Sequence, residues 1–291
     1  MKKYKTLGNL LIDFRIDQNL SQADLAAQFD VDIRSVIRWE KNESLLSSEK
    51  EKSMIEITFI PYQVIRNLNT SKQIPTFYDF RIRKYSLSTI SSDDLPDADW
   101  IKSRIDYNTN RIHNLNTSAD LPHIMRFIKL QKNPLKTKNT DLIIEACKRL
   151  PELNLTIFDQ SGYYSGHCIY FPIPMEIYLK IRNREMHEDQ LEIKHLIDHS
   201  QCERPVFYCY SITADCNENF FYTLGAILKF FKELPNKNYL HTLLTTRHDA
   251  HIMSEQLQLK TVWEDVEIQE KHALDIAPRL IEGDFNAFFS T

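Results

Sequence analysis

Leu7, Leu10, Leu11 and Phe14 recur at three- and four-residue intervals and predict an amphipathic helix near the start of the chain. A polar break follows, and after Leu20 the residue Ser21 stands as a helix N-cap with Asp24 three positions on as the capping-box acid. Leu25, Ala26 and Phe29 supply the inner face of a second helix. Asp32 is the N-cap of a third helix, which turns Val36 and Trp39 inward. Asn42 is placed to end it, because asparagine tolerates the left-handed conformation. Two short helices joined by a turn of three or four residues match the helix-turn-helix geometry that sets a recognition helix into the DNA major groove.

Beyond Leu68 the pattern changes. Residues 71–104 read as a linker, rich in Ser, Thr, Asp and Pro over 86–97. The linker carries one aromatic stretch, FYDFRIRKYSL, with a basic cluster at Arg81, Arg83 and Lys84. That stretch is expected to be a solvated strand face, with an arm on DNA phosphate as the alternative. From about 105 to 291, strand-like and helix-like segments alternate. NRIHNLN, LNLTIFD, HCIYFPIPMEIYLKI, ERPVFYCYSIT, YLHTLLTT and VWEDVEI read as strands. SADLPHIMRFIKLQ (capped by Ser118), NTDLIIEACKRL, NENFFYTLGAILKFFKEL and DAHIMSEQLQL read as helices, and a turn is expected at Gly162. Such alternation predicts a mixed-sheet α/β domain. The place of APRLIEGDFNAFFST is left open.

Composition narrows the chemistry. A chain of 291 residues is comfortable for two domains. Only 5 glycines argue against a nucleotide-cradling loop, and 5 cysteines without framework spacing suggest reduced thiols in a cytoplasm. No apolar run approaches about 18 residues, and the N-terminus makes a poor signal peptide, so neither a membrane span nor export is expected. The net charge of −4, with ten basic and ten acidic residues over 1–70, gives no general pull towards nucleic acid. DNA binding must then come from a local surface, on which Arg34 and Arg38 lie one helical turn apart.

Residues 5–68 resemble the helix-turn-helix of the Cro/phage-repressor (XRE) family, through Leu20-Ser21-Gln22, Leu25-Ala26, Val31 and Val36 to Glu40. The resemblance implies that Gln22 touches a phosphate or base at the groove edge. It also implies that Ile33, Arg34, Ser35, Ile37 and Arg38 face the DNA. Ile37 stands where the family often has Ser, Asn42 where it has Gly, and Leu46 where Pro is common. Ile37 is suited to a thymine methyl rather than to a hydrogen bond. One such module rarely grips DNA alone, so a homodimer on a two-fold related site is expected.

Residues 105–270 resemble the GNAT N-acetyltransferase fold in the order of their elements. RIHNLNTSADLPHIMRF stands as its first strand and helix, and VFYCYSITADCNENFFYTLGAILKFF as its fourth strand and following helix. That family carries Gln/Arg-x-x-Gly-x-Gly/Ala after the fourth strand, where backbone N–H groups meet the pyrophosphate of acetyl-CoA. Here TADCNENFFYTLG supplies Asp215 and Glu218 and no glycine before Gly225. The family's Tyr aligns with Ser254, its Asn with Arg247 and its last Gly with Gln258. The resemblance therefore implies a scaffold that has lost acetyl transfer, with no catalytic residue and no cofactor.

His195, His199 and Cys202 have the spacing of metal ligands on one helix face, as His248 and His251 do beside Asp249, but a polar face is the simpler reading and no metal is expected. The expected protein is a cytoplasmic DNA-binding transcription regulator. Its C-terminal domain would serve dimerisation, the sensing of a small-molecule effector, or binding of a protein partner. The alternatives are an N-acetyltransferase carrying a DNA-targeting module, and an autoregulating interaction protein such as an antitoxin.

Overall fold

The computed structural model describes residues 2–80, 84–86, 98–106, 109–131, 139–274 and 276–290. Contacts divide the chain into two compact units. The first is Met1–Asp94 with Ile157–Gly166 and Ala214–Phe220, and the second is Leu95–Thr156, His167–Thr213 and Phe221–Thr291.

The first unit opens with strand β1 (Lys2–Tyr4) and continues through helices α1 (Leu7–Asp17), α2 (Gln22–Gln28), α3 (Ile33–Glu40), α4 (Ser48–Thr58) and α5 (Tyr62–Leu68). Their inner residues Leu10, Leu11, Phe14, Leu25, Val36, Met54, Val64 and Ile65 form a closed apolar core. Strands β2 (Thr76–Asp79) and β3 (Lys84–Ser86) follow, inside the stretch expected to be a linker. β2 is the centre of a three-stranded antiparallel sheet, pairing Tyr4 with Thr76 on one side and Phe77 with Ser86 on the other. Phe80 seals this sheet onto α1, its ring 6.1 Å from those of both Tyr4 and Phe14 and 4.9 Å from that of Tyr78. Arg81 and Arg83 lie outside the described residues, as does the side chain of Lys84.

From residue 98 onward the chain runs α6 (Ala98–Lys102), β4 (Ile112–Asn114), α7 (Leu121–Gln131), α8 (Thr140–Arg149), β5 (Leu155–Phe158), β6 (Tyr164–Ile173) and α9 (Met175–Arg182). It then continues with β7 (Val206–Ala214), α10 (Asn217–Glu233), β8 (Leu240–Thr245), α11 (His248–Gln256) and β9 (Lys260–Glu264). It closes with α12 (Val266–His272), β10 (Arg279–Gly283) and α13 (Asn286–Ser290). Seven strands form one mixed sheet in the order β4-β5-β6-β7-β8-β10-β9. β7 and β8 are parallel over Val206–Cys209 and Leu240–Leu243, whereas β10 runs antiparallel to both β8 and β9. The mixed α/β character expected of this region is therefore present.

Three local expectations give way. Helix α7 starts at Leu121 rather than after Ser118, because the Asn116 amide oxygen captures the Ser118 and Ala119 N–H groups in a turn. The run HCIYFPIPMEIYLKI is half strand and half helix: Pro174 ends β6 and caps α9, whose Ile177, Tyr178 and Ile181 point inward. VWEDVEI breaks at Asp265, whose carboxylate accepts the Ile268 N–H and starts α12. The C-terminal segment left open by the sequence supplies β10, inserted between β8 and β9.

Aromatic packing closes the sheet's core. Phe231 of α10 lies 5.2 Å from Phe207 of β7 and 5.0 Å from Phe285. His241 of β8 is buried within this cluster, 4.8 Å from the Phe285 ring, with Nε2 2.9 Å from the Tyr170 hydroxyl. Burial pushes this imidazole down to about 3, so it stays neutral at ordinary pH. Gly225 is where α10 meets the chain after α6, since a Cβ there would stand 2.6 Å from the Arg104 carbonyl oxygen.

Candidate nucleic-acid interface

The arrangement of α1, α2 and α3 follows from short-range signals. The Thr6 hydroxyl caps α1 by accepting the Asn9 N–H at 3.3 Å. At α2 the capping box closes in both directions, Ser21 N–H onto Asp24 at 2.8 Å and Asp24 N–H onto the Ser21 hydroxyl at 3.1 Å. The Ser21 hydroxyl, with its N–H, holds the Asp24 carboxyl below its ordinary range. Asp32 caps α3 by accepting the Arg34 N–H at 2.8 Å. Asn42 takes the left-handed conformation after α3, with φ of 58°. Its amide oxygen accepts the Gly8 N–H at 2.9 Å, a bond that the glycine usual in the resembled family could not make.

Gly8 itself is demanded by this meeting of helices, because a Cβ would stand 2.2 Å from the Glu40 carbonyl oxygen. Glu40 is the hub of the three helices. Glu40 is 8% exposed, and its carboxylate accepts from Arg15 Nε of α1 at 2.8 Å and from Gln22 Nε2 of α2 at 2.6 Å. Sequence reasoning missed this hub. The signal available was a charged residue four positions after Val36, on the inward side of α3.

The residues proposed to face DNA divide accordingly. Gln22 is half-buried and donates inward to Glu40. On α3, Arg34 and Arg38 are exposed, Ile33 is 40% exposed, and Ser35 and Ile37 are half-buried. Among the described residues no carboxylate pairs with the side chain of Arg34 or Arg38. Val36 and Trp39 occupy the opposite, buried face, with Trp39 edge-on to Phe29 at 6.1 Å. α3 thus shows an outer face of two guanidinium groups, two β-branched apolar side chains and one hydroxyl.

The turn between β7 and α10 is where a GNAT enzyme would hold the pyrophosphate of acetyl-CoA. In this chain that turn carries Asp215, which is 9% exposed. Its carboxylate accepts from Asn219 Nδ2 at 2.8 Å and from the Ser165 hydroxyl at 3.3 Å. Burial pushes it up to about 6, although these bonds pull the other way. Cys216 beside it is held protonated, its thiol pushed up by burial. A buried carboxyl at this turn offers a pyrophosphate repulsion instead of the donors that such a turn supplies in a GNAT enzyme. The Ser254 hydroxyl donates to the Ala250 carbonyl at 2.7 Å and has its one proton committed there. Gln258, expected to stand in place of the family's last glycine, takes the left-handed backbone at φ of 60°. Arg247 is the N-cap residue of α11, without a capping side-chain bond.

His195 and His199 sit in separate 3₁₀ turns, Ile193–His195 and His199–Gln201, and not on one helix face with Cys202. No grouping of three or more metal-ligating side chains occurs among the described residues. The side chains of His248 and Asp249 lie outside those described. No helix is long and apolar enough to cross a membrane among the described residues.

No family model and no curated protein matches this sequence. Among solved structures the chain is similar to one titled "The NatB Acetyltransferase Complex Bound To bisubstrate inhibitor", at 11% identity and a TM-score of 0.37. That alignment covers 60% of this chain and 90% of the other. At this TM-score the likeness is loose and assigns no activity to the chain.

Proposed function

We propose that the protein is a sequence-specific DNA-binding transcription regulator that reads the major groove with α3. Its larger domain, a GNAT-like scaffold, serves dimerisation, effector sensing or partner binding. The observation that carries this reading is the outer face of α3, which leaves Arg34 and Arg38 exposed beside Ile33, Ser35 and Ile37. An unpaired arginine on an exposed helix is the commonest donor to the O6 and N7 acceptors of guanine. Gln22 serves this reading as a support for Glu40, with the second N–H of its amide left to donate to a phosphate. The helical unit is neutral overall, so affinity rests on few phosphate contacts and falls less steeply with salt than for a strongly basic module.

Selection of bound sequences from random duplexes tests the proposal: a folded chain that enriches no motif refutes it. Arg34→Ala and Arg38→Ala should each weaken binding to the enriched duplex by about 1–3 kcal/mol where the arginine makes a bidentate guanine contact. The competing reading, an N-acetyltransferase with a targeting module, meets a buried carboxyl at Asp215, where it needs donors for a pyrophosphate. Transfer of the acetyl group from acetyl-CoA to an amine separates the two, because calorimetric binding alone would fit either the enzyme or a regulator that senses acetyl-CoA.

A further inference from the structure

Resting on that reading, we infer that α3 reads a purine-rich half-site: two guanines about two base steps apart on one strand, with adenine·thymine pairs before and between them. The inference comes from how the exposed side chains are distributed around α3. Successive residues turn by about 100° and rise by about 1.5 Å. Ile33 and Ile37 therefore form one row along the helix, and Arg34 and Arg38 form a second row about 100° around it. Both rows lie on the exposed side, away from the buried Val36 and Trp39.

An α-helix fills the major groove, so two rows separated by about 100° address the two sides of the groove floor. The cationic row suits guanine, the one base with two acceptors on its major-groove edge. The apolar row suits the thymine methyl, the one apolar group exposed there. Four residues span about 6 Å, against a base-pair rise of about 3.4 Å, so Arg34 and Arg38 fall about two steps apart. Ile37 lies between them along the axis and on the other row, so its thymine belongs to the opposite strand between the two guanines. Ile33 precedes Arg34 by one residue and places a second thymine before the first guanine.

The test uses the full chain and the duplex enriched by selection, with binding followed by fluorescence anisotropy at one fixed salt concentration. Each guanine is replaced in turn by 7-deazaguanine, which lacks the N7 acceptor, and each thymine by deoxyuridine, which lacks the methyl. Loss of about tenfold for two guanines and of about threefold for the intervening thymine is expected. Each guanine effect should vanish in one arginine variant, Arg34→Ala for one and Arg38→Ala for the other, and the thymine effect should vanish in Ile37→Ala. These side chains lie outside the core, so circular dichroism and thermal melting should report folded variants. A motif lacking the paired guanines, or analogue effects that persist unchanged in the variants, overturns the inference and leaves DNA binding standing. A folded chain that enriches no duplex overturns both.

Discussion

Replacing Asp215 by Asn should stabilise the protein at neutral pH, and the gain should shrink as the solution is acidified. The carboxyl has an ordinary value of 3.8 and is pushed by burial up to about 6 in the folded chain. Between these values the folded state holds a proton that the unfolded state has lost. Stability from this group is therefore complete below 3.8 and declines as pH rises through the folded value. The difference of about 2.2 units, at about 1.36 kcal/mol each, amounts to about 3 kcal/mol at pH 7.5 and about 1 kcal/mol at pH 4.5. Asparagine keeps the geometry without titrating. Its oxygen can still accept from Asn219, and its amide nitrogen can donate to the Ser165 hydroxyl. Urea unfolding of both proteins across this pH range gives the difference directly, free of other titrating groups that the two share. A difference that stays constant from pH 4.5 to 7.5, or a variant less stable than the parent at pH 7.5, would refute the reasoning.

His241 titrates in the opposite sense. Its folded value of about 3 lies below the ordinary 6.5, so its contribution is present above 6.5 and is lost as pH falls, at about 1.4 kcal/mol per unit. His241→Gln, which can still bond the Tyr170 hydroxyl, should flatten this acid limb in the same urea series. Gly8→Ala should destabilise the helical unit by about 1–3 kcal/mol, because the new methyl meets the Glu40 carbonyl oxygen of α3 and one helix must shift. Thermal melting followed by circular dichroism checks this, and an unchanged melting temperature would show that the helices separate at little cost.

The resemblance to a phage-repressor module and the mixed-sheet reading of the larger domain began from local patterns, and those patterns are where the sequence was most legible. α1, α2 and α3 lie where apolar spacing put them because their capping partners sit within four residues: Thr6 with Asn9, Ser21 with Asp24, Asp32 with Arg34. The left-handed turn at Asn42 is likewise a property of the residue type. The strands β5, β7 and β8 are apolar runs with turn residues around them, legible for the same reason. HCIYFPIPMEIYLKI misled because a short buried strand and an inward helix face are both apolar, and only the proline marks the boundary.

Pairing over long distances belongs to the tertiary structure alone. β1 has three residues, too few for a periodicity, and exists because β2, more than seventy positions away, offers it hydrogen bonds. β10 could be read as a strand edge or a tail until β8 and β9 accepted it between them. The same holds for charge. Sequence showed Glu40 and Asp215 as two acids among 40, each with the same appetite for water. Folding buried both, giving Glu40 an arginine and an amide and Asp215 only neutral donors. At Asp215 desolvation outweighs those neutral donors and raises the carboxyl. Local order along the chain thus determined where the helices would start and put Asp215 before α10, and only folding decided that Glu40 would tie helices together and that Asp215 would be buried in that turn.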